Sequence, residues 1–332
     1  MSTSAAVIDS YDAALFDLDG VIYLGPVAVP GAAEGIAQLH DRGTKIGFVT
    51  NNAARPPVAV ADHLVELGIP ATAADVVTSA QAAAHLLINR FGTGARVLAV
   101  GGEGVIVALS EVGLVPVHSA DDRPVAVIQG YGFDLKWQEL NEAAVAIHRG
   151  AHWVATNIDP TRPTDRGLVP GNGAAVAAVQ MAVQAVPEVA GKPYRPLLDD
   201  MVGRLGARHP LFVGDRLDTD IAGAVNAGLD SMLVLSGSHR AEELVSARPG
   251  ERPTFVGKDL RALLLPPLAL GHSDAEFRCG AATASAADGK LTVHRNGSTE
   301  VEAIWAAAHT AWWAADHGLV IDVRGALAQL DQ

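Results

Sequence analysis

Short continuous apolar runs alternate along this chain with stretches whose apolar residues recur every three or four positions. The runs at 13–16, 45–49, 76–77, 96–100, 125–129, 152–155, 210–214 and 231–235 predict strands. Helical periodicity lies between them, at 31–39, from Pro57 to Gly68, and at 81–90, 137–149, 174–185 and 197–205. Gly43 follows the first helix, where a C-terminus often takes glycine, and Pro56-Pro57 open the second. Strand and helix alternating at this spacing predict βαβ units and a parallel sheet, an α/β fold. The 174–185 helix is nearly all Ala, Val and Met, so burial is expected. Residues 157–172 read as a long polar loop, and loops of that length in compact domains tend to be functional. Past about residue 268 the texture changes. Two strand-like pieces flank Asp288-Gly289, and 300–316 reads as a helix carrying Trp305, Trp312 and Trp313, which together suggest a ββα appendage. An aromatic stripe of this kind predicts a packing surface.

Two of the apolar runs end in carboxylates. The first delivers Asp17-Leu18-Asp19-Gly20, and Gly20 lets the chain leave the strand with a backbone that a Cβ would hinder. Open α/β sheets bind ligands at this end of their strands. Two charged aspartates so close repel, so a site holding both favours a cation, and Mg²⁺ suits carboxylates, a carbonyl, water and a phosphate oxygen. One aspartate could then attack phosphorus while the other moves a proton. The competing reading is a polar turn after a strand. The run at 210–214 repeats the design with Asp215, followed by Asp218 and Asp220. The second strand enters Thr50-Asn51-Asn52, and Gly191-Lys192-Pro193 precedes the helix at 197–205. Gly101, Gly102 and Gly104 miss the spacing of a dinucleotide fingerprint and read as a tight strand-to-helix turn.

A length of 332 residues exceeds one usual hydrophobic core, and 49% hydrophobic residues can fill two. The net charge of −13, with no cluster of Lys and Arg, excludes a nucleic-acid surface. No apolar run has the length of a membrane span, and the opening Met-Ser-Thr-Ser-Ala lacks the features of a signal peptide, so a cytoplasmic location is expected. The single cysteine, Cys279, excludes an internal disulfide framework and a cysteine metal cluster, and reads as an incidental or buried thiol.

In order, Asp17-x-Asp19-Gly20-Val21, Thr50-Asn51-Asn52, Gly191-Lys192-Pro193 and Gly214-Asp215-Arg216-Leu217-x-Thr219-Asp220-Ile221 resemble the motifs of the haloacid-dehalogenase superfamily, over roughly residues 10–262. The resemblance implies a Rossmann-like core and a Mg²⁺-dependent phosphatase. By it, Asp17 is the nucleophile, Asp19 the general acid/base and donor of a backbone carbonyl to the metal, and Asp215 a further metal ligand. Thr50 and Asn51, with Asn52 beside them, would hold phosphoryl oxygens, Lys192 would balance charge, and Asp220 would orient the metal ligands, with helix capping as its competitor. About 30 residues separate Asp17 from Thr50, too few for an inserted domain, whereas about 140 separate Asn51 from Lys192. The expected division is therefore a core of 1–78 and 189–266, an α/β cap of 79–188, and a C-terminal module of 267–332.

Within the superfamily the cap resembles those of glycerol-3-phosphate, phosphoglycolate, pyridoxal-phosphate and nitrophenyl-phosphate phosphatases, through Ala155-Thr156-Asn157-x-Asp159 and Pro170-Gly171-x-Gly173-Ala174. It departs from them at Gly132, where relatives tend to carry aspartate. The resemblance implies a small phosphorylated metabolite as substrate, glycerol 3-phosphate first and 2-phosphoglycolate next. Asn157, Asp159, Arg162 and Arg166 are candidates to face it, with a structural loop role equally open. Self-association is expected, if anywhere, through the cap or the C-terminal module. The competing class is a non-catalytic phosphate-binding or receiver-like protein, against which Asp19, Lys192 and Asp215 together argue.

Overall fold

The computed structural model describes residues 5–164 and 166–330. The chain packs as two compact units, 1–45 with 208–332, and 46–207. In the first unit, four parallel strands lie in the order Phe255–Gly257, Asp230–Val234, Pro210–Gly214, Ala13–Phe16. Ala13 to Phe16 are wholly buried, which is why their sequence is apolar throughout rather than alternating. Their register pairs Ala13 with Pro210 and Phe16 with Val213. The helix Ala32–Asp41 buries Ala32, Ile36 and Leu39 and stops just before Gly43, which takes the left-handed conformation a helix end requires.

The C-terminal part of this unit is larger than the expected ββα appendage. Four antiparallel strands, Leu270–Ser273, Glu276–Cys279, Ala282–Ala287 and Lys290–His294, lie in sequence order. The Asp288-Gly289 turn joins the last two, with both residues at positive φ as a two-residue hairpin demands. The helix Glu300–Asp316 lies over the sheet, buries Trp305 and Trp312, and is followed by a short helix at Arg324–Leu330. One apolar cluster joins Leu217, Ile221, Leu233 and Leu244 to Cys279, Ile304, Trp305 and Leu330, so this region has no core separate from the parallel sheet. Burial pushes the Cys279 thiol up to about 11, consistent with an inert packing group.

In the second unit, Phe48 to Thr50 pair in parallel with Val76–Thr78. This unit also holds a five-stranded parallel sheet ordered Glu188–Val189, His152–Ala155, Ala126–Gln129, Arg96–Val100, Val115–Val117. Helices Glu103–Glu111, Trp137–His148 and Asn172–Gln180 accompany that sheet. The last of these corrects an expectation. Val176 and Val179 are buried, but Ala174, Ala177 and Gln180 are exposed and Met181 beyond them is 92% exposed. Alanine is a helix former that tolerates either environment, so an Ala-rich run does not by itself report burial. The stretch read as a long loop holds a hairpin, Thr161–Thr164 with Gly167–Pro170. Among the described residues no helix is long and apolar enough to cross a membrane.

The glycines around residue 101 serve close backbone packing. A Cβ at Gly101 would come within 2.6 Å of the Gly130 carbonyl oxygen, and one at Gly132 within 2.8 Å of the Gly102 nitrogen. Gly132 is therefore required by its neighbours, and a side chain there would push the two turns apart.

Candidate active site

In the first unit, the backbone N–H of Asp17 donates to the Val213 carbonyl at 2.9 Å, extending the ladder one residue beyond Phe16. Register then sets Asp17 beside the end of the neighbouring strand, where Gly214 leads into Asp215. The carboxylates of Asp17, Asp215 and Asp220 gather with their ligand oxygens within 4.8 Å of one another, although Asp17 and Asp215 are roughly 200 positions apart. All three are buried, Asp17 at 8% exposure and the others at 1%.

Each is fixed by its local chain. Asp220 sits in the π-helical turn Leu217–Ile221, and one of its carboxylate oxygens, Oδ2, accepts the N–H of Asp215 at 3.1 Å and of Arg216 at 3.0 Å. Asp215 Oδ2 accepts the Ser238 N–H at 2.6 Å, and the Asp215 carbonyl accepts the His239 N–H at 3.2 Å. His239 Nδ1 in turn accepts the Leu217 N–H at 2.9 Å, and Ser236 Oγ donates to the Gly20 carbonyl at 2.8 Å. A Cβ on Gly20 or on Gly237 would overlap the Asp215 carboxylate, so the two glycines make a cradle around it. Asp19 is exposed on the turn beyond Asp17, and its carboxylate is not among the three.

Three oxygen donors so close fit a hard divalent cation. Buried carboxylates at this separation repel strongly, and the cost of keeping them charged falls when a cation lies among them. The donor set is all oxygen, which suits Mg²⁺ rather than a softer metal.

In the second unit the other motif residues form their own cluster. Thr50 ends its strand, is buried, and accepts the Asn52 N–H at 3.0 Å through Oγ1. Asn52 is exposed and its Oδ1 accepts the Ala54 N–H at 2.9 Å, an Asx turn. The Asn51 amide is a clasp: Oδ1 accepts the Lys192 N–H at 2.8 Å, while Nδ2 donates to the Lys192 carbonyl and to Asp159 Oδ2, each at 3.1 Å. The Asn51 carbonyl accepts from Ser79 Oγ and Asn157 Nδ2, each at 2.6 Å. Asn157 Oδ1 accepts the Asp159 N–H at 3.1 Å, and the Asn157 carbonyl accepts from Asn172 Nδ2 at 2.7 Å. Lys192 is 2% exposed.

Thr50, Asn51, Asn157, Asp159 and Lys192 are thus brought together, while Arg162 and Arg166 are not. Arg162 lies over the Tyr131 and Phe133 rings, at 4.8 and 5.4 Å from their centroids. Arg166 is exposed at the hairpin turn, its N–H donating to Thr164 Oγ1. Sequence pattern does not single out Ser79, Asn172, Gly237, Ser238 or His239. The Ser-Gly-Ser-His stretch after an apolar strand is the available signal for the last three.

Two family models match the chain, the haloacid dehalogenase-like hydrolases over residues 14–115 and the HAD-hydrolase-like proteins over 189–263. The chain belongs to the haloacid dehalogenase-like hydrolases. It is 50% identical over 258 residues to the D-glycerol 3-phosphate phosphatase of Mycobacterium tuberculosis, covering 78% of this chain and 72% of that one. The crystal structure of the M. tuberculosis glycerol phosphate phosphatase in complex with magnesium superimposes with a TM-score of 0.85 at 44% identity, over 93% of each chain. The acid sugar phosphatase of Staphylococcus haemolyticus is 34% identical over 77% of this chain and 96% of its own.

Proposed function

We propose that this protein is a Mg²⁺-dependent phosphatase that hydrolyses glycerol 3-phosphate through a phosphoryl-aspartate formed on Asp17. The observation that carries the reading is the gathering of the Asp17, Asp215 and Asp220 carboxylates at the end of the parallel sheet. The relatives named glycerol phosphate phosphatases supply the substrate.

In this reading a carboxylate oxygen of Asp17 attacks phosphorus as the bond to the glycerol oxygen breaks, and Asp19 gives that oxygen its proton. Water then attacks the phosphoryl-aspartate, Asp19 takes the proton back, and inorganic phosphate leaves with Asp17 restored. Asp19's exposure suits a group that exchanges protons with substrate and water. Asp17, the Asp19 carbonyl and Asp215 would hold Mg²⁺, which supplies positive charge to the transferring phosphoryl group. Thr50 offers its hydroxyl to the phosphoryl oxygens. Asn51 offers its backbone N–H, because its side-chain amide is already committed to Lys192 and Asp159. Lys192, held by that clasp, balances the charge of nucleophile and phosphate. Asp159 and Asn157 support this loop, and the division proposed with it keeps a core of 1–78 and 189–266, a cap of 79–188 and a C-terminal module of 267–332. A cytoplasmic location accords with a metabolite substrate.

The test is kcat/KM for glycerol 3-phosphate against 2-phosphoglycolate, pyridoxal phosphate, sugar phosphates and nucleoside monophosphates, with Mg²⁺ and with EDTA. Glycerol 3-phosphate is expected to lead the panel, with turnover lost in EDTA and restored by Mg²⁺. A tenfold preference for another ester would reject the substrate, and undiminished turnover in EDTA would reject the metal.

A further inference from the structure

Within the first unit, the loop that carries Asp215 is held by the turn at 236–239 through three hydrogen bonds. Asp215 Oδ2 accepts the Ser238 N–H at 2.6 Å, the Asp215 carbonyl accepts the His239 N–H at 3.2 Å, and His239 Nδ1 accepts the Leu217 N–H at 2.9 Å. The first two use backbone N–H groups of the turn, which any residue but proline supplies. Of the three, only the last needs the His239 side chain.

The place of that third bond gives it weight. Leu217 opens the π-helical turn Leu217–Ile221, and the first N–H groups of a helical turn have no carbonyl behind them to bond. Further along the turn, the N–H groups of Asp220 and Ile221 both reach back to the Arg216 carbonyl, at 3.0 and 3.1 Å. Leu217 is buried, so losing its acceptor strands a buried donor, and the turn can relieve that only by moving. A ring nitrogen that accepts carries no hydrogen, so the hydrogen of this imidazole sits on Nε2. Nε2 stands 3.9 Å from Asp218 Oδ1, on a carboxylate that Arg216 holds with hydrogen bonds at 3.0 and 2.7 Å. One ring thus braces the turn at its start and beside Asp218. The same turn delivers Asp220, whose Oδ2 accepts the N–H groups of Asp215 and Arg216.

We infer that His239 is a positioning residue for the Mg²⁺ site, its Nδ1 capping the Leu217 N–H so that the Asp215 and Asp220 carboxylates keep the spacing that holds the ion. The inference rests on the reading of Asp215 as a Mg²⁺ ligand. It gives the ring no contact with substrate and no part in proton transfer; the effect passes through the backbone of 215–221.

Isothermal titration calorimetry of Mg²⁺ into the full chain tests it, beside Mg²⁺ titrations of initial rate and melting curves in EDTA. Asparagine places its Oδ1 where the imidazole has Nδ1, so His239→Asn is expected to bind Mg²⁺ as the unaltered chain does. His239→Leu fills the same space with no acceptor, and His239→Gln carries its amide one bond too far. Both are expected to weaken Mg²⁺ binding at least about tenfold, as for other residues that orient metal ligands. The Mg²⁺ concentration for half-maximal turnover should rise in step, with the lost turnover recovered at saturating Mg²⁺. Should His239→Leu fold poorly, His239→Gln carries the comparison with His239→Asn. Unchanged Mg²⁺ affinity in the Leu and Gln variants, even with a lowered melting midpoint, would reduce His239 to a structural cap and overturn the inference. Equal weakening in His239→Asn would overturn it too. An unaltered chain that binds no Mg²⁺ would overturn the metal reading itself, so the two failures are told apart.

Discussion

Asp220 acts through its neighbours: its carboxylate receives the N–H groups of Asp215 and Arg216, and so fixes the direction in which the Asp215 side chain leaves the backbone. Residues that orient metal ligands typically change metal affinity about 10–100-fold when altered. Asp220→Asn is therefore expected to raise the Mg²⁺ concentration for half-maximal turnover by about that factor while retaining activity at saturating Mg²⁺, read from a Mg²⁺ titration of initial rates. Asp17→Asn is expected to behave differently, with turnover abolished at any Mg²⁺ concentration and circular dichroism unchanged. An active Asp17→Asn enzyme would contradict the nucleophile assignment. Asp17, Asp215 and Asp220 were legible in the sequence because each follows an apolar run within a few residues. The use of the Asn51 amide was not, because its partners Asp159 and Lys192 stand 108 and 141 positions away and local pattern carries no trace of such pairs.

At the scale of elements, the strand Asp230–Val234 matters through the turn at its far end, since Ser236 to His239 wrap the Asp215 loop. Gly237→Ala would drive a methyl group into the Asp215 carboxylate. Turnover is expected to fall at least about tenfold, in line with a displaced metal ligand, while the thermal midpoint in EDTA moves little. Steady-state kinetics beside a melting curve checks both. Parallel strands of four or more apolar residues announced themselves in the sequence. Of the three-residue strands, Val76–Thr78 was legible from Val76-Val77, whereas Val115–Val117 and Phe255–Gly257 were not, because so short a run gives no dependable period; the 161–170 hairpin was hidden by Pro163 and Pro170, residues that ordinarily argue against a strand. The Ala-rich helix misled for the opposite reason, since alanine matches helical pattern in both wet and dry settings.

For the whole molecule, the C-terminal region completes the apolar core of the first unit. Trp312 Nε1 donates to the Leu244 carbonyl at 2.9 Å, and Arg252 holds Asp316 through two hydrogen bonds at 2.6 and 2.9 Å. Removing residues 267–332 would uncover the apolar side chains it packs against, Ala241, Leu244, Val245 and Val256 among them. The shortened chain is expected to lose cooperative unfolding of the first unit and Mg²⁺-dependent turnover with it, as followed by urea titration. A truncated protein with the full-length transition would refute that dependence. The tail's hairpin and helix were legible from Asp288-Gly289 and the Glu300–Asp316 period, but its shared core was not, since sequence pattern shows which face is apolar and not what covers it.

The first unit is assembled from two separate stretches of the chain, 1–45 and 208–332. The strand carrying Asp17 is made about 200 residues ahead of its partner Pro210–Gly214, with all of the intervening unit between them. During synthesis that apolar β-strand must wait for this partner, which makes its nascent form a natural client for chaperones while residues 46–207 already have all of their own chain with which to fold.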